Sequence, residues 1–494
     1  MFGQLKRLGT ETLIYGLSTI IGRFLTFMLT PVYTNYLNPV EFDFVIYTYS
    51  IIAFVNILYS FGLESSYFRF FKSGTVADSQ KVFTHSWVTI QLISIVGTIL
   101  IFLNSETFGA YIASGDIDSP GFLIRTAVFI PFFDALILIP FAYLRMTNKA
   151  MKFAMTKFVL ILIAVALNFK FVVFDGLGAT GVFYAQLISS IIGFLIFVPL
   201  IFKNINLTFD IKLFIQMLKF GLPTLPANFS AIILQVADRP IIKMLNDSPE
   251  FLTTYQTNHR LGIPMMLFVT IFEYAWKPFY LSTFKEVNAK EMYSRIFTYF
   301  TLISAFIFLF VSFFLEYIVA MPGIGGKLIN PMYWDGLGIV PIILGAYYFN
   351  GAFTNFNAGI LIEKKTQYLP VAIGAAALIN IVLNFALIPY FGMYGAAFAQ
   401  FGGYLISAFI IYLYSQKYYK ISYEWSRVTF IIILALAIYF IFNHMIDFGN
   451  DLYNILIRFV GIFVYFIALY LMKFLKKDEI DLLKRLIKRN AKEN

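Results

Sequence analysis

Long apolar stretches recur along the whole chain and limit what it can fold into. Only 13% of the 494 residues are charged and 60% are hydrophobic, whereas a soluble globular chain has roughly 25% charged residues. A run of about 20 apolar residues crosses the hydrocarbon core of a bilayer as a helix, because a helix satisfies its backbone hydrogen bonds without water. The sequence therefore predicts an all-α integral membrane protein.

About fourteen such runs are present, each about as long as one transmembrane helix. They are separated by short polar or basic segments, which is typical of a polytopic helical bundle. The predicted spans are 13–37, 43–72, 82–103, 121–148, 153–174, 179–202, 220–246, 255–282, 294–320, 338–362, 367–388, 393–415, 427–444 and 452–474.

The distribution of the 37 lysine and arginine residues indicates how these spans are oriented. Basic residues concentrate in the cytoplasmic loops of membrane proteins. With the N-terminus inside, most of them fall in predicted cytoplasmic segments, and the exceptions on the predicted outer side are Lys170, Lys243, Lys327 and Arg458. We therefore expect both termini in the cytoplasm. The net charge of +10 reflects this orientation, and we expect no nucleic-acid partner.

Two amphipathic stretches are predicted to lie on the inner membrane surface and to contact membrane lipids. One begins at Asp210, a residue type that caps helix N-termini, and carries Lys212 and Lys219 beside apolar residues. The other is the basic tail from Lys473 onward. Basic amphipathic helices bind the anionic cytoplasmic leaflet.

An internal repeat divides the chain. Residues 167–186 and 383–400 resemble each other, and each joins the fifth helix of a predicted six-helix half to the sixth. The matched pairs are Asn168 with Asn384, Gly181 with Gly395, and Gln186 with Gln400. Two halves of the same orientation predict parallel bundles around a central site.

The repeat gives the predicted domain boundaries. Residues 1–209 form an N-terminal six-helix lobe, and 210–420 form a C-terminal six-helix lobe that begins with the interfacial helix. Residues 421–494 add two transmembrane helices and the basic tail.

Four segments resemble those of a known superfamily: FGLESSYFRFF (61–71), VADRPIIKML (236–245), AWKPFYLS (275–282) and LNFALIPYFGMYGAAFAQ (383–400). In their order along the chain they are similar to the O-antigen and polysaccharide flippases of the multidrug/oligosaccharidyl-lipid/polysaccharide exporter superfamily. The resemblance implies a MATE-like pair of lobes in a bacterial cytoplasmic membrane. It also implies a flippase that moves an undecaprenyl-pyrophosphate-linked oligosaccharide to the outer leaflet.

Ionisable residues inside predicted spans are costly and need a partner or a function. Arg23, Arg239 and Arg260 are the candidates for binding the phosphates of the lipid head group, since a guanidinium group matches phosphate oxygens. The alternative for Arg23 is an ion pair with an acid on a neighbouring helix. For Arg260 the alternative is an ion pair with Asp238, which is adjacent to Arg239 and therefore faces a direction about 100° away.

The remaining intramembrane charges are candidates for ion coupling or for pairing. Asp134 lies between Pro131 and Pro140, where a bend could form a proton or sodium site; the alternative is that the prolines only kink the helix. Glu64 lies near an inner helix end, and Glu273 and Lys277 are spaced to neutralise each other.

Several classes of site are not expected. The chain contains no cysteine and three histidines, which are far apart, so we expect neither a metal site nor a cofactor. PGIGGKLIN at 322–330 lacks the spacing of a phosphate-binding loop.

Two other functions remain open. A cation-coupled multidrug exporter of the same superfamily would favour an acidic cavity, and the basic spans argue against it. A membrane glycan polymerase or ligase, the third alternative, commonly has a long outer loop with charged residues, whereas the longest predicted outer loops, near 104–120 and 321–337, are short.

Overall fold

Helices account for nearly all of the described structure. A computed structural model describes residues 16–71, 76–206, 208, 210–446 and 449–471. Twelve helical stretches in this part are long and apolar enough to cross a membrane, and they correspond to the predicted spans other than the first and the eighth. The predicted tail helix from Lys473 lies outside the described residues.

The first part of the chain contains ten helices up to residue 204 in the described ranges. The sixth predicted span is a single helix, whereas the second and fourth are each broken once near one end. The helices are α1 (16–27), α2 (Thr30–Tyr36), α3 (Pro39–Ser60), α4 (Leu63–Phe70), α5 (Val76–Leu103), α6 (Ser105–Ile112), α7 (Pro120–Ala127), α8 (Phe129–Met146), α9 (Ala150–Asn168, continued by a π-helix at Phe169–Phe174) and α10 (Gly178–Asn204).

The second part begins with the predicted interfacial helix and includes the polar eighth span. That span is divided into two helices at Leu261 and Gly262. The helices are α11 (Ile211–Gly221), α12 (Leu225–Val236, after a 3₁₀ turn at Leu222–Thr224), α13 (Asp238–Leu245), α14 (Pro249–Arg260), α15 (Ile263–Thr283), α16 (Ala289–Ala320), α17 (Val340–Ile362, after a 3₁₀ helix at Pro331–Ile339), α18 (Tyr368–Phe391), α19 (Met393–Tyr418), α20 (Trp425–Phe440, continued by a π-helix at Ile441–Met445) and α21 (Asp451–Leu471). The short strands β1 (Pro322–Gly323) and β2 (Gly326–Lys327) pair antiparallel.

Local sequence signals explain several helix starts. Asn38 accepts a hydrogen bond from the Glu41 amide (2.9 Å), and the Glu41 carboxylate accepts one from the Asn38 amide (3.4 Å). This capping box, followed by Pro39, is a strong start for α3. Asp210 caps α11 as predicted, since its side chain accepts from the Lys212 and Leu213 amides at 3.1 Å. These hydrogen bonds lower the pKa of Asp210.

Polar side chains of α5 compensate for a proline inside α8. Pro140 has no amide hydrogen, so the carbonyl of Leu136, one turn earlier, lacks its usual helical donor. The Trp87 indole donates to that carbonyl at 3.0 Å, and the Gln91 amide donates to the neighbouring Ala135 carbonyl at 3.3 Å. Neighbouring helices often satisfy carbonyls freed by proline in this way.

Two glycines allow α4 and α11 to approach closely. Gly62 has a left-handed φ of 69°, and a Cβ atom there would lie 2.6 Å from the Gly221 carbonyl carbon. Beside this contact, the Ser66 hydroxyl donates to the Met217 carbonyl at 2.6 Å. The predicted interfacial helix α11 therefore packs closely against the end of the second predicted span.

The matched glycines of the repeat occupy equivalent contacts. A Cβ atom at Gly181 would meet Phe171 at 3.0 Å, and one at Gly395 would meet the Leu387 backbone at 2.5 Å. Phe171 and Leu387 follow the matched asparagines by the same number of residues. Each glycine lets a sixth helix pack onto the end of its fifth helix, which supports the proposed correspondence.

The two sequence halves touch at the end that is predicted to face outward. Lys243 of α13 and Asp43 of α3 form an ion pair of 2.7 Å, and both side chains are buried. The Asn35 amide donates to the Lys327 carbonyl at 2.8 Å. These contacts hold the first two spans against the seventh span and the β1–β2 hairpin.

Contacts divide the chain into two units. The first combines the described residues of Met1–Phe284 with Val319–Lys420, and the second combines Lys285–Ile318 with Ile421–Asn494. The second unit has its own apolar core, in which Phe313 and Tyr465 are fully buried. Within it, the Arg458 guanidinium donates to the Phe313 carbonyl at 2.8 Å.

Candidate functional site

A polar network forms where the seventh and eighth spans meet. Asp238 is buried and accepts a hydrogen bond from the Tyr255 hydroxyl at 2.5 Å. Its neighbour Arg239 donates from Nε to the side-chain oxygen of Gln256 at 2.6 Å and from Nη1 to the backbone carbonyl of Gln235 at 3.0 Å. The acid therefore faces the protein interior while the guanidinium group faces a cavity. The alternative Asp238–Arg260 ion pair is not formed.

Two further arginines contact hydroxyl groups across the sequence halves. Arg23 of α1 donates to the Thr270 hydroxyl at 2.7 Å, and Arg260 of α14 lies 3.4 Å from the Thr30 hydroxyl. In the described part of the chain, no carboxylate lies within 4.0 Å of the guanidinium groups of Arg23, Arg239 or Arg260. Their charges are thus available to a ligand.

Three adjacent cavities share these arginines. The C-half cavity, of about 370 Å³, is lined by all three. The N-half cavity, of about 360 Å³, is lined by Arg239 and Arg260. The α1 cavity, of about 440 Å³, is lined by Arg23 and Arg260. Because the cavities share walls, the arginines lie at their junctions.

Lys157 of α9 adds a fourth positive charge. Its side chain lines the α1 cavity together with Arg23, and its ammonium group lies 5.7 Å from the centre of the Phe153 ring. The carboxylate of Glu273 is close enough to Arg23 and Lys277 to interact electrostatically. It forms no ion pair with either residue in the described structure. Even with the buried Asp238 and the exposed Glu273 counted, the four basic residues outnumber the acidic ones near the cavities.

The sequence matches a known protein family over much of its length. Residues 34–322, more than half of the chain, match the family described as polysaccharide biosynthesis protein. The chain belongs to this family. No curated protein matches the sequence at a significant level.

Solved structures show the same fold at low sequence identity. The lipid II flippase MurJ in an inward closed conformation superimposes with a TM-score of 0.75 at 18% identity, covering 93% of this chain and 99% of that chain. A multidrug resistance MATE family transporter in an inward-facing conformation gives a TM-score of 0.62 at 13% identity, covering 80% of this chain and 94% of that one. The chain therefore has the all-α membrane fold of the lipid II flippase MurJ and of a MATE family transporter.

A third solved structure is a transporter of the MOP superfamily from Pyrococcus furiosus. Its description states that the reverse polarity of its own binding pocket suggests a different function. Its TM-score is 0.59 at 15% identity, covering 84% of this chain and 97% of that chain.

The other predicted residues lie apart from the shared cavities. Asp134 accepts a hydrogen bond from the Ser190 hydroxyl at 2.8 Å and is not among the residues that line the three cavities. Glu64 forms an ion pair with Arg145, whose guanidinium group also lies 4.7 Å from the centre of the Phe68 ring. Glu273 and Lys277 are exposed and not within 4.0 Å of each other.

Sequence reasoning missed much of the polar wall. Gln256 and His259 of α14 are buried and line the C-half cavity, where His259 Nε2 hydrogen-bonds Gln400 Oε1 at 2.9 Å. The available signal was the run TTYQTNHR (253–260) inside a predicted span, since polar residues at membrane depth mark functional sites. Lys157, near the inner end of the predicted span 153–174, is counted by its sequence among the basic residues on the cytoplasmic side, which gives no sign of a cavity position.

Proposed function

We propose that the protein moves an undecaprenyl-pyrophosphate-linked oligosaccharide from the cytoplasmic to the outer leaflet, by alternating access, during surface polysaccharide biosynthesis. The observation that carries this proposal is the group of Arg23, Arg239 and Arg260 around adjoining cavities, each without a carboxylate partner in the described structure. The site belongs to a transporter and performs no covalent chemistry. It lies in a bacterial cytoplasmic membrane with both termini inside.

A pyrophosphate group suits this site for electrostatic reasons. Isolated positive charges at membrane depth are unfavourable, and three guanidinium groups offer several donors in a planar geometry that matches phosphate oxygens. A bound pyrophosphate offsets the charge of the arginines, and the arginines in turn compensate for the loss of its hydration. The cavity is thus selective for an anionic head group over a cationic drug.

The two sequence halves supply a path for alternating access. Arg23 comes from the first span, whereas Arg239 and Arg260 come from the seventh and eighth. A ligand held by all three bridges both halves, and rocking of the halves would expose it to one leaflet and then the other. Membership of a polysaccharide biosynthesis family and the shared fold with a lipid II flippase support this substrate class.

Energy coupling is a separate part of the proposal. A proton or sodium gradient, or the glycan gradient itself, would drive transport. Asp134 is the candidate coupling residue, because it is a half-buried carboxylate with the Ser190 hydroxyl as a partner and no ion pair in the described structure. Asp238 already accepts a hydrogen bond from Tyr255, so its proposed role is pairing.

The proposal is tested by translocation of a fluorescent undecaprenyl-pyrophosphate-linked sugar in proteoliposomes. Replacing both arginines, Arg23→Ala with Arg239→Ala, should lower the initial rate at least about tenfold, since charged hydrogen bonds each contribute about 1.5–3 kcal/mol. Arg125→Ala is the control, because Arg125 is exposed and pairs with Glu106 away from the cavities.

Two outcomes would contradict the proposal. Full translocation by the double variant would remove the arginines from the mechanism. Efflux of cationic dyes without translocation of any lipid-linked glycan by the wild type would instead identify a multidrug exporter.

A further inference from the structure

The C-half cavity contains polar side chains that no protein group satisfies. The Asn350 amide and the hydroxyl groups of Tyr347 and Tyr404 line it. None of these groups makes a hydrogen bond within the described ranges. Because these groups face the cavity and have no protein partner, they are free to hydrogen-bond a ligand that has donors and acceptors of its own.

Aromatic rings form one wall of the same cavity. The ring of His259 lies 6.1 Å from that of Tyr347, and the ring of Tyr347 lies 6.4 Å from that of Tyr404, both between centroids. The His259–Gln400 hydrogen bond fixes the ring of His259 in place. The wall therefore presents rigid apolar faces next to isolated donors and acceptors, a combination typical of small-molecule sites.

The N-half cavity differs in this respect although the repeat makes it the counterpart. Its Tyr33 hydroxyl already donates to Asn168 at 2.9 Å, and its Ser50 hydroxyl donates to the Ile46 carbonyl at 2.8 Å. Tyr49 and Gln186 also line it, and their side chains make no hydrogen bond within the described ranges. The N-half cavity therefore has two such side chains, compared with three in the C-half cavity.

We infer that the C-half cavity is a sugar subsite, which binds the sugars attached directly to the pyrophosphate through Tyr347, Asn350 and Tyr404. This inference rests on the proposed function. Sugar hydroxyl groups both donate and accept, which matches an amide and two phenols, and the apolar face of a pyranose ring fits an aromatic wall. Arg239 and Arg260 lie at the boundary of this cavity and hold the phosphates next to the first sugar. The volume of about 370 Å³ falls in the range of roughly 300–1,000 Å³ found for ligand pockets.

Binding measurements separate the sugar contact from the phosphate contact. Two probes are titrated into the purified protein: undecaprenyl pyrophosphate, and the same lipid carrying one N-acetylhexosamine. Tyr404→Phe combined with Asn350→Ala should weaken binding of the sugar-bearing lipid about tenfold through the loss of two hydrogen bonds. Binding of the sugar-free lipid should not change.

A matched control addresses folding. Tyr67→Phe removes a buried hydroxyl that has no partner in the described structure and does not line the cavities, so both probes should bind as in the wild type. Thermal unfolding of each variant verifies that the protein is intact.

The possible failures are distinguishable. Equal binding of both probes by the wild type, with no effect of the double variant, would overturn the sugar subsite while the proposed function stands. The N-half variant is Tyr49→Phe with Gln186→Ala. If it loses the sugar-dependent gain in binding while Tyr404→Phe with Asn350→Ala keeps it, the sugar lies in the N-half cavity and the C-half subsite is also overturned. Failure of the wild type to bind either lipid would overturn the proposed function itself.

Discussion

Lys243 and Asp43 form a buried charged contact outside the cavities. Their side chains are 7% and 0% exposed and lie 2.7 Å apart, and the Ser114 hydroxyl also donates to Asp43 at 2.9 Å. Removing one partner of a buried ion pair leaves the other charge uncompensated, which costs about 3–5 kcal/mol. This contact is therefore expected to contribute strongly to the stability of the end that is predicted to face outward.

Lys243→Met should lower the unfolding temperature markedly, and adding Asp43→Asn should restore part of the loss, because the neutral amide needs no counter-charge. The comparison is Lys170→Met. Lys170 and Asp175 are also 2.7 Å apart, but their side chains are 59% and 35% exposed, so the loss should stay below about 1 kcal/mol. Thermal unfolding in one detergent measures all the variants, and equal losses for the two lysines would contradict the argument.

At the residue level, the sequence predicted which positions carry intramembrane charge and could not predict their partners. The helical angle between Asp238 and Arg239 indicated that only one of them faces the cavity. The choice of Tyr255 as the partner of Asp238 depends on how α13 packs against α14. Lys157 lines the α1 cavity because the face of α9 that carries it is turned toward α1. This depends on tertiary packing, which the distribution of charges among loops does not predict.

The contact between α4 and α11 is an element-scale feature with a direct test. Gly62 and Gly176 both have left-handed backbones, with φ of 69° and 66°, but only Gly62 is crowded: a Cβ atom there would lie 2.6 Å from Gly221, whereas nothing lies within 4 Å of one at Gly176. Gly176→Ala should therefore cost only the backbone strain, roughly 1–2 kcal/mol. Gly62→Ala should cost clearly more, because it separates the interfacial helix from the second span.

Unfolding temperature and protease sensitivity of α11 measure the two glycine variants. If both lose the same stability, backbone strain alone would account for the effect, and close packing of the two helices would not matter.

Long apolar helices were predictable and the broken polar ones were not. Hydropathy locates α10 or α19 directly, since length and composition determine a membrane span. The division of the eighth span into α14 and α15 escaped prediction because its polar residues are stabilised by partners from other helices, such as Gln400 and Arg239. Asp210 was predictable because capping is local.

On the scale of the whole molecule, the repeat was visible in the sequence but the contact units were not. Matched turns at 167–186 and 383–400 indicated duplicated halves, and that division stays a prediction. Residues 285–318 pack with the helices of residues 421–494 and form one contact unit with them. Long-range packing of this kind leaves no periodic signal, because Phe313 and Tyr465 resemble lipid-facing residues until their neighbours are known.

Alternating access requires the predicted outer ends of the halves to separate in each cycle, and the structure shows where to prevent this. Asn35 and Lys327 are joined by a 2.8 Å hydrogen bond from a side chain to a carbonyl, and the chain contains no cysteine. Asn35→Cys with Lys327→Cys, linked by a short bis-methanethiosulfonate reagent that forms a disulfide with each cysteine as methanesulfinate leaves, should reduce translocation to the rate of protein-free liposomes. A reducing agent should restore it.

The matched control is a crosslink inside one half. Ser105→Cys with Arg125→Cys replaces two residues whose side chains lie 2.9 Å apart on the N-terminal half, so the same reagent should leave translocation intact. Mass spectrometry gives the crosslinked fraction for each pair. Rocking of rigid halves separates the two residues of the first pair, whereas both residues of the second pair move with the same half. Only the first crosslink can therefore block a cycle of this kind. Undiminished translocation at complete crosslinking of the first pair would show that the outer ends stay together, and the substrate would have to leave by a route that does not open between them.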